Sequence, residues 1–441
     1  MRIGIVGGGI LGLSLGYYLT KSGIDVTIFE GRDRAGGLLD TFEVDGVWID
    51  KYYHCILGGD ADLHALNEEL GLTSKTRFGS AKQGFYSGGQ LYPMASGKDL
   101  LLFPPLTLLE RVRLGLTILG AFRTNDVDRL EQTPVEEWLV GLGGRGAFDK
   151  VWKPLLKAKF DSHYDLTPAT YIWSRLKRTS STKAAAGGGD KLGYYVGSYR
   201  VLVDRLVEKI EQAGSEVRLN ARVERVVIED ERAVGIAVNG REIPFDGVVV
   251  TTPLPALSAI VPEPHRAKLQ LPPAPEYLGV ICGLLLLDRP LSPYYTLNIA
   301  DSDIPFTGVI ETTNIVNPAD VGGHHLVYVP KYVTRDSPFN QKSDDELEDL
   351  YVEHLSRMFP RFREATVRHA FVFRERLVEP LHQIGRPRPR VPMTTPIDGL
   401  FAVNNGQIYP ELTNVQASVQ HAQRSLPTLA GYTPTRQAVT A

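Results

Sequence analysis

The stretch RIGIVGGGILGLSLGYYLTKSGIDVTIFE, residues 2 to 30, constrains what this chain can fold into more than any other segment. Ile3 to Val6 read as a buried strand, a glycine turn follows, apolar residues then recur at helical spacing to about Ser22, and a second strand spans Val26 to Phe29. Gly7, Gly9 and Gly12 fill the G-x-G-x-x-G spacing. Gly7 permits the tight turn, Gly9 lets a pyrophosphate approach the backbone, and Gly12 lets the helix pack closely on the sheet. The helix N-terminus then offers outward N–H groups and a partial positive charge to phosphates. Glu30, about 20 residues on, ends the second strand where a carboxylate accepts hydrogen bonds from a ribose diol. Strand, turn, helix, strand and acid in that order specify a dinucleotide site on a Rossmann-like unit.

The rest of the chain bounds the possibilities. With 441 residues it is too long for one ordinary core, which predicts two or more lobes. A formal charge of −3 gives no basic field for a nucleic-acid backbone, so nucleic acid is not expected as a partner. Two cysteines, Cys55 and Cys282, make no disulfide framework, and the first residues carry no basic region with an apolar core and cleavage site, so the cytoplasm is the expected location. Cys55 reads as a small buried hydrophobe. The adjacent His324 and His325 point opposite ways in an extended strand, and no metal is assigned. The longest apolar stretch, residues 99 to 123, is interrupted by Glu110, Arg111 and Arg113. It reads as a helix with one apolar face after Pro104 and Pro105, packed in the core in preference to contacting a membrane.

The dinucleotide is specified downstream. EGRDRAGGLLDTF (30 to 42) continues through Arg32 and Arg34 to Gly36 and Gly37, a second phosphate-proximal turn that a simple nicotinamide-binding fold does not need. This resembles the FAD-binding amine oxidase superfamily, which includes protoporphyrinogen oxidases and phytoene-type desaturases. Members commonly follow Arg-x-Gly-Gly with another arginine, and Leu38 stands in that place here. Residues 195 to 255 read as a turn, a helix and a series of strands similar to the middle FAD segment, with the backbone near Val223 facing the adenine. NNGQIYPELTNVQASVQHAQRSL (404 to 426) is similar to the last motif, in which a strand ends near the flavin and a helix begins under it. Asn404, Asn405 and Gly406 replace its usual Gly-Asp or Gly-Glu, Thr413 or Asn414 is a plausible N-cap, and the first N–H groups, at Val415 and Gln416, are expected against the flavin.

The resemblance implies an α/β fold: a Rossmann-like FAD-binding domain from residues 1–85, 195–260 and 395–441, interleaved with an α+β substrate-binding domain, a mixed sheet plus helices, from 86–194 and 261–394. Residues 179 to 193, rich in Ser, Ala and Gly, read as a flexible loop. In such a family the segment GVWIDKYYHCILGGD (46 to 60) runs along the flavin. His54 and Tyr53 are then the candidate catalytic residues, turned to substrate by strand parity. His54 and Ile56 also match the flavin-side segment of UDP-galactopyranose mutases. Tyr295, Glu311, Tyr328 and Tyr409 are candidate substrate contacts. The strand 277 to 287 lacks the lysine that many amine oxidases carry near flavin N5. The expected activity is FAD-dependent oxidoreduction: hydride leaves a C–H bond of a small organic substrate for flavin N5, and electrons pass to oxygen or another acceptor. A non-redox mutase or isomerase and a non-catalytic flavin-bearing protein are the alternatives. The FAD is expected to be non-covalent, because no cysteine lies near the last motif.

Overall fold

The computed structural model describes residues 1–185, 191–269, 271, 276–385 and 392–434. The unit anticipated at the N-terminus forms as a strand Arg2–Val6, a helix Ile10–Lys21 and a strand Asp25–Phe29. Glu216–Arg218, Gly247–Val250 and Leu400–Ala402 complete a five-stranded sheet. Its order places Glu216–Arg218 at one edge, then Asp25–Phe29, Arg2–Val6, Gly247–Val250 and finally Leu400–Ala402. Every pairing is parallel, in registers such as Ile5 with Ile28 and Ile5 with Val249. All five strands therefore end on one edge, and the chain leaves Arg2–Val6 towards one side and later returns on the other. A crevice opens at such a reversal, and ligands of doubly wound sheets bind there.

Both faces of this sheet are covered, which is why its strands are almost wholly apolar. On one face the helix Ile10–Lys21 packs against the helices Arg200–Gln212 and Val415–Ala430, joining Leu15, Leu19, Leu206, Ile210 and Val419 in one core. Leu202, Leu206 and Ile210 recur at four-residue spacing, so one stripe of their helix turns inward. On the other face an antiparallel sheet of Val223–Glu229, Arg232–Val238 and Arg241–Pro244 presents Val226 and Ile236 to Val248 and Val250.

The second sheet is mixed and has seven strands. From one edge these are Val367–Pro380, Tyr277–Leu287, His325–Val333, Gly308–Glu311, Thr296–Ile299, Gln83–Ser87 and Gln90–Pro93. Its pairings are antiparallel except between Thr296–Ile299 and Gln83–Ser87. Tyr277–Leu287 is buried along its whole length. Ile281 and Leu285 face a core with the helix Asp344–Met358, while Cys282 and Leu284 face Tyr295, Tyr328 and the segment 52–57. The α/β architecture with a mixed sheet and helices agrees with the sequence expectation.

Three expectations are corrected. The segment 179–193 is not one loop: the helix Thr170–Ala185 continues through its first part and the strand Lys191–Tyr195 occupies its end, while 186–190 lie outside the described residues. Alanine, a strong helix former, favours that continuation. Tyr52 to Cys55 are irregular backbone between the strands Val47–Asp50 and Ile56–Leu57, so strand parity does not orient them. The helix Leu108–Arg123 buries only Leu114, Thr117 and Ala121 and turns Leu108, Leu109, Leu116 and Leu119 outward. A capping box of Thr107 and Glu110 fixes its start, with the Thr107 N–H donating to Glu110 Oε2 at 2.8 Å.

Candidate flavin and substrate site

The edge where the five parallel strands end collects the predicted cofactor residues. Gly7 has φ +110° and donates its N–H to the Phe29 carbonyl at 2.9 Å, which closes the turn. A Cβ on Gly12 would lie 2.0 Å from the Gly7 carbonyl oxygen, so only glycine lets the helix approach the turn. A Cβ on Gly9 would meet no atom within 4 Å. Gly9 precedes the helix without a side-chain cap, and the first-turn N–H groups are thus left to the backbone or to a ligand. Glu30 accepts the Gly8 N–H through Oε2 and the Arg32 N–H through Oε1, each at 2.9 Å.

The second glycine turn is held directly against the first. Gly36 and Gly37 both have positive φ, and the Gly36 N–H donates to the Gly8 carbonyl at 2.8 Å. Leu38 follows in a short 3-10 turn, partly buried. The arginines are engaged elsewhere: Arg32 pairs with Glu375 at 2.5 Å, and Arg34 donates to the Thr41 carbonyl at 2.9 Å with its guanidinium 4.8 Å from the Trp48 ring centre. Val223 begins its strand beside Glu30, because Ala221 donates to the Glu30 carbonyl and Asn220 to that of Arg32, both at 2.8 Å.

Beyond Leu400–Ala402 the chain reaches Asn404 and Asn405. Asn404 accepts the Gly406 N–H at 3.0 Å, and two buried amide atoms, Asn404 Nδ2 and Asn405 Oδ1, have no protein partner. Asn414, as expected, caps the C-terminal helix by accepting the Ala417 N–H at 3.0 Å. Val415 is buried at the first helical position. The Gln416 side chain turns to the helix Ala61–Glu69, accepting the Leu63 N–H at 2.8 Å and donating to Asp62. Only its backbone remains as a cofactor candidate.

Four of the six catalytic and substrate candidates fall into two neighbouring clefts. His54, Tyr53, Tyr199 and Tyr328 line the first. His54 Nδ1 lies 3.0 Å from the Tyr52 carbonyl, its ring centre is 5.4 Å from that of Tyr199, and burial pushes its pKa down to about 4, so it is neutral near pH 7. Tyr328 donates to the Asp50 carbonyl at 2.6 Å. Burial raises the Asp50 pKa to about 7 against a stabilising Tyr199 N–H. Asn405, Tyr409, Tyr171 and His382 line the second cleft. The Tyr409 and His382 rings are 3.8 Å apart at their centres, the Tyr409 hydroxyl meets Thr170, and burial lowers the His382 pKa to about 4. Tyr295 and Glu311 line neither cleft. Glu311 is buried, accepts the Leu291 N–H at 2.9 Å and meets the Ser292 hydroxyl, which fixes the turn at the sheet end.

A chain of side chains missed in the sequence joins the two clefts. The Tyr53 and Tyr332 hydroxyls are 3.4 Å apart, Lys159 Nζ lies 3.9 Å from the Tyr332 ring centre, and Lys159 pairs at 2.7 Å with Glu379, which lines the second cleft. Burial acts to lower the Lys159 pKa, but the Glu379 carboxylate offsets this and leaves it raised. Tyr332 lies on the strand His325–Val333, but nothing in the pattern of that strand specifies Lys159 as its neighbour.

Comparisons with known proteins bear on the fold and the family. Residues 12–379 match the family described as flavin containing amine oxidoreductase. The 15-cis-phytoene desaturase of Synechococcus elongatus is 24% identical over 95% of this chain and 94% of its own length. A solved oxidoreductase from Methanosarcina mazei superposes with a TM-score of 0.73 at 18% identity, covering 97% of this chain and 100% of that one. A reduced UDP-galactopyranose mutase gives a TM-score of 0.73 at 16% identity, covering 97% and 93% of the two chains; at that identity the likeness is one of fold.

Proposed function

This chain belongs to the family of flavin-containing amine oxidoreductases, and on that premise we propose that its flavin is FAD, held without a covalent bond along the edge where the five parallel strands end. The observation that carries this reading is the turn at Gly9, where a side chain would enter space free of protein atoms within 4 Å, in front of a helix start with no side-chain cap. That is the shape and polarity a pyrophosphate needs. Gly7, Gly12, Gly36 and Gly37 would shape the cradle, with Leu38 beside it and Arg32 and Arg34 at its rim. Glu30 would take the ribose diol through lone pairs left by its two backbone donors, and the Val223 backbone would face the adenine. The unpartnered amide atoms of Asn404 and Asn405, and the helix start at Asn414, Val415 and Gln416, would serve the flavin end. Cys282 lies inside the second sheet and Cys55 in the 52–57 segment, so neither adjoins the last motif.

Bound there, the flavin supplies a two-electron acceptor for a hydride leaving a C–H bond of a small organic substrate. The protein's part is to orient that substrate and exclude water. His54 and His382, both neutral at pH 7, and the Tyr53 and Tyr409 hydroxyls offer hydrogen bonds without a full charge, while Phe160 and Tyr171 supply apolar contact. Anaerobic mixing with candidate substrates tests the reading. Stoichiometric bleaching of the flavin supports it, and turnover that appears only after dithionite reduction, with no bleaching by substrate, would overturn it in favour of a mutase or isomerase.

A further inference from the structure

We propose that the outward face of residues 101–119 is a peripheral membrane contact that lies on an anionic lipid surface. Twelve large apolar side chains are exposed among the described residues, and seven fall in this stretch: Leu101, Leu102, Leu108, Leu109, Val112, Leu116 and Leu119, each between 46% and 68% exposed. Leu108, Val112, Leu116 and Leu119 follow one another at four- and three-residue steps, which puts them on a single stripe of the helix Leu108–Arg123. Leu101 and Leu102 are fastened beside that stripe, because Arg111 donates to the Leu101 carbonyl at 2.6 Å and to the Leu106 carbonyl at 2.8 Å. The result is one continuous patch on a helix about 24 Å long. Contiguous exposed leucines of this extent mark a contact surface, since scattered single side chains would need no explanation.

The charges around the patch decide what it meets. Lys98, Arg113 and Arg123 are exposed at its margins. The two acids of the same stretch are turned away: Asp99 closes a capping box with Ser96, and Glu110 closes one with Thr107 and pairs with Lys150 at 2.8 Å. Within residues 98–123 the exposed charged side chains are therefore all basic, set around an apolar centre, the arrangement of a helix that lies in a membrane interface with its basic side chains at the headgroups. A two-fold contact with a second copy would set the same cations at both rims with no exposed acid of this stretch to answer them. No helix among the described residues is long and apolar enough to cross a bilayer, so the contact is one-sided. The same helix packs on Thr170–Ala185, whose Tyr171 and Ser174 line the second cleft.

Vesicle flotation of the full, flavin-loaded protein tests the proposal and does not depend on its activity. Vesicles of mixed phosphatidylcholine and phosphatidylglycerol should carry the protein at least about tenfold better than pure phosphatidylcholine, as expected of two or three basic residues at an anionic surface. Leu109→Ser with Leu116→Ser should lower binding to both, and Arg113→Glu with Arg123→Glu should remove the preference for the anionic vesicles, each with unchanged circular dichroism and flavin content because these side chains are exposed. Wild-type protein that does not float with the mixed vesicles would overturn the proposal. So would a concentration-dependent dimer that the serine variant abolishes, which would assign the face to a second copy.

Discussion

Gly9→Ala and Gly12→Ala should separate cofactor binding from folding, although the two glycines are three residues apart. At Gly12 the new Cβ would lie 2.0 Å from the Gly7 carbonyl oxygen, a backbone atom that cannot move without opening the turn. Such overpacking costs about 1–3 kcal/mol and falls on the fold itself. At Gly9 the backbone, with φ −70° and ψ 174°, is in a region any residue adopts, and the Cβ meets no atom within 4 Å. The apoprotein should therefore change stability by no more than about 0.5 kcal/mol. The added methyl group would instead occupy the place proposed here for the pyrophosphate and push it off the helix N-terminus. Losing two charge-assisted N–H bonds at about 1.5–3 kcal/mol each amounts to about 3–6 kcal/mol, or about 10²- to 10⁴-fold in affinity. Urea denaturation of the apoproteins and FAD titration followed by flavin fluorescence read the two quantities separately. If Gly9→Ala bound FAD as tightly as wild type, or destabilised the apoprotein as much as Gly12→Ala, the pyrophosphate would not lie at this turn.

Replacing His54 with Ala should slow flavin reduction by substrate about 10²- to 10⁴-fold with flavin content unchanged; unaltered reduction kinetics would make His54 a packing residue. Burial raises the Glu311 pKa from 4.5 to about 7, so its ionised form destabilises the fold above that pH while below about 4.5 it is protonated in both states. Glu311→Gln should accordingly stabilise the protein at pH 8 by on the order of 2–3 kcal/mol, with the gain fading towards pH 4, and leave flavin reduction intact. A loss of reduction at equal stability would instead place Glu311 at the substrate. Val415→Pro removes one first-turn N–H at a position where proline is tolerated, and should lower the flavin midpoint potential with flavin still bound. An unchanged potential would move the helix start away from the flavin. Common primary monoamines and polyamines should fail to bleach the flavin efficiently under anaerobic conditions, given the absence of lysine from 277–287.

How much was legible in the sequence depended on the range of the interactions. The Gly7–Glu30 unit could be read because its signals are local: glycine at fixed offsets, helical period, strand end. The strands after Arg200–Gln212 were legible for the same reason, and their order matched a family pattern. The tertiary neighbours were not. Helical periodicity shows that residues 108–123 have an apolar face but not what covers it, and the expectation of core packing fails where the fold leaves four of the five leucines outside. The Tyr53–Tyr332–Lys159–Glu379 chain joins four distant segments, and no local pattern encodes it. Glu311, a candidate substrate contact, ends the strand Gly308–Glu311 and is held there by the Leu291 N–H and the Ser292 hydroxyl, partners 19 and 20 residues away that no local pattern reveals.

The central claim, that this oxidoreductase holds FAD non-covalently at the strand-end edge, is tested most directly by heat-denaturing the purified protein and analysing the supernatant by absorbance and mass. Intact FAD, one per chain, is the predicted result. A supernatant free of flavin, with the colour retained on the precipitate or with NAD as the bound nucleotide, would contradict it.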